Sequence, residues 1–402
     1  MQDSVVISGY AQLSALGTQL DQLDVSLRDG QTQSRLVDIH LPGSDPMTVV
    51  VFDTNIDSAK VIAPSKLPLD RGTALALQAA RAAVDHSGLN LETLDKDRLG
   101  IYWGSGMGGA GTFDMGSAGL YRDHKRIRPT SVVTTMPNAP AAELSLLFHA
   151  QGASISYACA CASSAVAIGE AMWALKTGRL DVAIVGGSES MLTPGVLASW
   201  HALRVLSQEC RPFDLHRNGF AMGEGAGALV LETAAHARGR QHRAQFGLSG
   251  YGTNCDASHI TNPDVSGQVK AMRMALAMAG LQPNDIGYVN AHGTATQAGD
   301  ACEAKSLQEV FGAHGVPVSS TKGLHGHLLG GGGAVELIVA LRALHNQHLP
   351  GNAHCVQADP HFSIDLIEAQ GRSAPHLRHA MSNSFAFGGT NAVLIASLLE
   401  DA

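Results

Sequence analysis

The chain has 402 residues, of which 45% are hydrophobic, and a formal net charge of −8. That length supports a large buried core, and the acidic balance argues against a nucleic-acid surface. The opening MQDSVVISGYAQLSALG has no basic leader, and no apolar run is long enough to span a bilayer, so a soluble, cytoplasmic protein without membrane contact is expected.

VVISGYAQLSALG begins as an apolar strand and ends in a glycine turn. RGTALALQAARAAVDHSGL is rich in helix formers, with Gly88 near its end. LGIYWGSGMGG gives a strand and a glycine-rich loop, and residues 110–130 look irregular, as a lid, arm or interface would. His124, Lys125, Arg126 and Arg128 cluster there, as a solvated loop or a contact for an acidic carrier protein or phosphate. GASISYACACASS reads as a strand followed by small residues, AVAIGEAMWALKTG as a helix stopped at Gly178, and LDVAIVGGSES as a buried strand entering a turn. AGALVLE and the stretch around QFGLSGYGT add strands. From about residue 250 the pattern restarts: IGYVNAHGT passes from strand to loop, ACEAKSLQEVFG and AVELIVALRAL are helical, and SNSFAFGGTNAVLIASLL is strand, turn and strand. The alternation predicts a layered α/β fold of two related units, 1–249 with a nucleophile and 250–402 with histidines, meeting at one site.

Cys161 falls where a strand passes into a helix, among small residues. A helix N-terminus there favours the thiolate and offers a backbone N–H to an oxyanion. Cys159 competes as nucleophile, and a buried structural cysteine is the plainer reading of this segment alone. The C-A-C spacing is not a zinc pattern, and no metal is expected.

Downstream, His292 follows a strand, with Thr294 and Thr296 placed to bind the amides of an extended thiol arm. STKGLHGHLLGGGGAVE carries Lys322, His325, His327 and Glu336. Simple acyl transfer needs one base, whereas two histidines suit donors aimed at an enolate oxygen. Glu336 or Glu303 can orient the lysine. In SNSFAFGGTN, Phe385 and Phe387 can close an apolar tunnel, and the Phe387 N–H is a second candidate oxyanion donor. Neither GSGMGG nor GGGG has nucleotide-loop spacing. Arg211, Asp214, Arg217 and Glu224 are expected to fix loops by ion pairing.

With PTSVVTTMPNAPAA, ACACASS, RPFD-x-x-R-x-G-F-x-x-G-E-G-A-G, NAHGTAT-x-x-GD, STKGLHGHLLGGGGAVE and SNSFAFGGTN in this order, nearly the whole chain resembles the β-ketoacyl-[acyl-carrier-protein] synthases of type II fatty-acid and polyketide systems. The resemblance implies a thiolase-like, duplicated α-β-α-β-α fold and decarboxylative condensation of an acyl-cysteine with malonyl carrier protein. It implies a nucleophile at Cys161, histidines at His292 and His327, the family lysine at Lys322, and its glutamate at Glu336. Thr294 and Thr296 would face phosphopantetheine, which belongs to the carrier, so no bound cofactor is implied. Phe387 matches a gating phenylalanine, and Met107 falls in a turn that limits chain length near a dimer contact. The implied partner is a second copy or a ketosynthase-like chain-length factor. Cys159 for threonine, His325 for threonine, GGGG for GAAG and Gln297 for proline depart from the pattern and point to a specialised polyketide or polyene pathway. A thiolase-class acyltransferase and a non-catalytic chain-length or scaffold subunit are the alternatives.

Overall fold

The structure, a computed structural model, describes residues 4–39 and 47–399. The outer ends of the two expected units, at 1 and 402, lie outside these residues. The first half runs β1 (Val5–Leu13), α1 (Arg71–Ser87), β2 (Leu99–Gly104), α2 (Ala139–Phe148), β3 (Ser154–Tyr157), α3 (Ser163–Lys176), β4 (Val182–Glu189) and β5 (Gly225–Thr233). The second repeats the series: β6 (Phe246–Cys255), α4 (Val265–Ala279), β7 (Tyr288–Asn290), α5 (Gln297–Phe311), β8 (Pro317–Ser319), α6 (Gly332–Asn346), β9 (His379–Phe385) and β10 (Thr390–Leu398).

The strand orders show the duplication. The first half is ordered β1-β5-β4-β2-β3 and the second β6-β10-β9-β7-β8. In each, the first two pairings are antiparallel and the last two parallel. The halves join where β1 pairs antiparallel with β6, Ile7 opposite Phe246. The expected division at 249/250 falls inside β6, so the strand that opens the second series starts before it.

Side-chain alternation makes the layers. On β4, Ala183 and Val185 face the central core, while Val182 and Ile184 face α1 and α2. On β10, Ala392, Leu394 and Ala396 face the centre, while Val393 and Ile395 meet α4 and α5. Helices α3 and α6 lie together between the two half-sheets, which gives helix, sheet, helix, sheet, helix. Every residue of α6 from Gly332 to Leu344 is buried, including Glu336 and Arg342, whose charges are paired with Lys322 and Asp24. The outer α1 is capped at both ends. Asp70 accepts the Gly72 N–H at 2.8 Å, and Gly88 closes it in the left-handed region.

The segment read as irregular is mostly helical: Ala110–Asp123 is a helix, followed by a short turn of helix at Ser131–Thr135. Its glycines lower local helix propensity, so the sequence hides a helix that tertiary contacts hold. One such contact is Asp114, whose carboxylate accepts the Gly195 N–H at 2.9 Å.

Candidate active site

Cys161 sits in a tight turn, Ala160–Ala162, that feeds directly into α3. Ala160 has φ 48°, a strained value for a residue with a Cβ, and the bend presents the next side chain above the helix N-terminus. Ser163 braces the turn by accepting the Cys159 N–H at 2.8 Å and donating to Ala160 O at 2.7 Å. Burial pushes the Cys161 thiol up to about 12, against the Lys322 charge and the N–H groups of Phe387 and of Cys161 itself. The backbone N–H groups of Cys161 and Phe387 thus lie close enough to the sulfur to oppose the effect of burial.

His327 Nε2 lies 3.1 Å from Cys161 Sγ. Its Nδ1 faces the Leu329 N–H at 3.3 Å, and an N–H on that side requires an unprotonated Nδ1. The proton of the neutral ring is thereby assigned to Nε2, which points at the sulfur. Burial, and then Lys322, hold His327 and His292 well below the usual histidine range. The two imidazoles meet edge to face, centroids 5.4 Å apart. The heteroatoms of Cys161, His292 and His327 all lie within 4.8 Å of one another, a spacing that would also admit a soft cation, with the lysine charge opposing it.

Lys322 is buried beside this cluster, its Nζ 3.5 Å from His292 Nδ1 and paired with the Glu336 carboxylate. Of the two glutamates considered for orienting the lysine, Glu336 takes it. Glu303 instead accepts the backbone N–H groups of His292 at 2.9 Å and Gly293 at 2.7 Å, and so fixes the loop that carries His292. Asn383 from β9 also donates to Glu303, at 3.1 Å.

A cavity of about 260 Å³ opens from Cys161 to the surface. Thr294 and Thr296 line it, with their hydroxyls 3.0 Å apart, and Thr296 also caps α5 through the Gly299 N–H. Phe385 and Phe387 line it too. The Phe387 ring stacks on Trp200 at 6.2 Å between centroids, so the residue expected to close the tunnel has an aromatic partner that its sequence context does not reveal. Met107 does not reach the cavity. It is 48% exposed, on the turn leading into helix Ala110–Asp123. Cys159 is half-buried outside the cavity, and His325 is fully buried with Nε2 3.0 Å from Thr321 Oγ1. Arg217 and Glu224 do fix loops, pairing with Asp359 at 2.8 Å and with Arg71.

Fold and site together define an α/β enzyme of the thiolase-like acyltransferase class. Residues 2–237 match the family described as beta-ketoacyl synthase, N-terminal domain, and residues 246–356 its C-terminal domain. A 3-oxoacyl-[acyl-carrier-protein] synthase 2 of Staphylococcus aureus (strain COL) is 37% identical over 343 residues, 83% of either chain. Nodulation protein E of Rhizobium meliloti (strain 1021) is 36% identical over 403 residues, 98% of this chain and 99% of that one. Among solved structures, a chain of the ishigamide ketosynthase/chain length factor superposes with a TM-score of 0.91 at 26% identity, covering all of both chains. This chain belongs to the β-ketoacyl synthase family, and it is a catalytic member of it.

Proposed function

We propose that Cys161 is the acyl-accepting nucleophile of a condensing enzyme that works on carrier-bound thioesters. In the first half-reaction the sulfur attacks an acyl carrier thioester, and the carrier thiol leaves with the proton. In the second, a malonyl thioester loses carbon dioxide, and the electron pair of the broken C–C bond becomes an enolate. His292 and His327 donate to the enolate oxygen. The enolate carbon attacks the acyl-Cys161 carbonyl, the C–S bond breaks, and the sulfur recovers a proton as the 3-oxoacyl product departs. The N–H groups of Cys161 and Phe387, both beside the sulfur, are the donors assigned to the thioester oxygen. Thr294 and Thr296 hold the phosphopantetheine arm, which arrives on the carrier.

The observation that carries this reading is the tautomer of His327. A ring accepting at Nδ1 and held neutral is a donor at Nε2, 3.1 Å from the nucleophile, and an enolate needs a donor there. The test is intact-mass detection of acyl-Cys161 after incubation with a panel of acyl carrier proteins, followed by malonyl-dependent carbon dioxide release and two-carbon extension. Cys161→Ala must abolish both. Unchanged condensation in that variant would remove Cys161 from the role.

A specialised polyketide or polyene pathway fits the departures at Cys159, His325, Gln297 and residues 330–333 better than ordinary fatty-acid synthesis. For a subunit partner, Met107, Phe113, Met115, Tyr121, Val132 and Val133 present large apolar surface within one chain segment. A second copy or a chain-length-factor-like chain would cover it, as the name of the ishigamide assembly suggests for that protein. Native mass spectrometry of the purified chain, alone and co-expressed with a neighbouring ketosynthase-like chain, separates the two. No helix among the described residues is long and apolar enough to cross a membrane. The six cysteines are all free, which suits a reducing compartment such as the cytoplasm.

A further inference from the structure

We propose that Glu189 is a positioning residue for His327, a carboxylate that pins the loop which keeps that histidine a donor at Nε2. This rests on the role given to His327 above. Glu189 is the last residue of β4 and is 1% exposed. Among the described residues it has no cationic partner. One oxygen accepts from Ser105 Oγ at 3.0 Å and faces the Met107 N–H at 3.5 Å. The other accepts the Gly106 N–H at 2.5 Å and the Gly330 N–H at 3.1 Å. A single carboxylate thus ties the turn after β2, from the first half, to the loop before α6, from the second.

The two loops meet too closely for side chains. A Cβ on Gly330 would stand 2.2 Å from the Gly106 nitrogen and 2.7 Å from Glu189 Oε2. The residue before Gly330 is Leu329, whose N–H faces His327 Nδ1. The relay is therefore short: Glu189 holds the Gly330 N–H, the adjoining Leu329 N–H holds His327 Nδ1, and His327 Nε2–H reaches Cys161. A buried carboxylate without a counter-charge is costly to keep even with four donors, and apolar packing would serve a merely structural seam at less cost. Burial pushes this carboxyl up to about 7, against its four donors. The other loop carries Met107, so the same carboxylate links the exposed apolar segment to the histidine loop.

Glu189 therefore serves the decarboxylation half-reaction, where the histidines donate, more than the acylation half-reaction, where the sulfur attacks. Glu189→Gln is nearly isosteric, but its NH₂ meets donors on either side. Two rates decide the matter in wild type, Glu189→Gln and His327→Ala. The first is carbon dioxide release from the malonyl carrier protein that the wild type turns over, and the second is alkylation of Cys161 by iodoacetamide. The expected result for Glu189→Gln is a fall of about tenfold or more in carbon dioxide release, with alkylation within about threefold of wild type. Equal losses in both rates, or none in either, overturn the proposal and leave Glu189 a packing residue. If His327→Ala itself releases carbon dioxide at the wild-type rate, the reading of His327 fails first. If Glu189→Gln does not accumulate as folded protein, Glu189→Asp replaces it. That variant keeps the charge but is too short to hold both loops, and the same split is expected.

Discussion

His327 Nε2 lies 3.1 Å from Cys161 Sγ although 166 residues separate them in the chain. The contact spans the two halves: Cys161 leads into α3, His327 precedes α6, and the two helices pack together as the central layer. Because burial pushes the Cys161 thiol up to about 12, the resting enzyme holds a thiol beside two neutral rings. The thiolate fraction below that value grows about tenfold per pH unit. Alkylation of Cys161 by iodoacetamide should therefore keep climbing from about pH 7 to about pH 10 with no plateau. Lys322→Met, which removes a charge that lowers the thiol, should slow alkylation at every pH in that range. A plateau near neutrality would mean that the thiolate is far better stabilised than these neighbours allow.

Lys322 and Glu336 form an ion pair with both side chains almost wholly buried. Removing one member leaves the other without compensation in a dry site, at a cost of about 3–5 kcal/mol, whereas removing both with apolar replacements of similar size is close to neutral. Urea denaturation of Glu336→Ala, Lys322→Met and the double variant Lys322→Met/Glu336→Leu should show the double variant nearer wild type than Glu336→Ala. Condensation should be lost in all three, since each disturbs the charge beside His292. Additive destabilisation in the double variant would argue against the pair acting as a unit.

The residues that the fold clusters beside the cavity were legible in the sequence because each sits in a distinctive glycine- or alanine-rich context: Cys161 in ACACASS, His292 in NAHGTAT, Lys322 and His327 in TKGLHGH. The duplicated alternation of strand and helix was legible too, since both strand and helix periods survive in each half. Glu189 was not. Its partners are backbone N–H groups and one serine, so no complementary charge in the sequence announces it. Trp200 was hidden for a similar reason. A tryptophan in an apolar stretch reads as core, and only the fold brings it onto Phe387. The helix Ala110–Asp123 was masked by its glycines. β6 continues smoothly through residue 250, so no break in the sequence pattern marks where the second series of elements begins.

The run of four glycines, Gly330 to Gly333, has two kinds of position in it. A Cβ at Gly330 would meet backbone at 2.2 Å, and one at Gly333 would meet Ser384 Oγ at 2.8 Å. At Gly332, the first residue of α6, the nearest atom would be 3.8 Å away. An alanine there fits and removes unfolded-chain freedom. Gly332→Ala should stabilise the protein by about 0.4–1 kcal/mol with condensation retained. Gly330→Ala should separate the loops around Glu189, lower the melting temperature and depress carbon dioxide release. Equal tolerance at the two positions in a thermal-melt and activity comparison would show that the loops yield more readily than their contacts indicate.

Away from the site, Glu232 on β5 gathers His236 Nδ1 at 2.5 Å and Arg240 Nη2 at 2.6 Å, with its own side chain fully buried. Burial alone would raise its carboxyl, but the His236 and Arg240 hydrogen bonds outweigh that and set it at about 2. A carboxylate whose folded value lies below its unfolded value, about 4.3, stabilises the fold fully above that pH and loses the contribution as pH falls toward the folded value. The urea midpoint should therefore drop between about pH 5 and about pH 2. Glu232→Gln should cost about 2–3 kcal/mol near neutrality, because Arg240 loses its counter-charge, and should flatten the midpoint's fall over that acid window. The measurement is a set of urea titrations at fixed ionic strength for both proteins. Parallel curves, offset but equally steep, would place the acid sensitivity in other carboxylates.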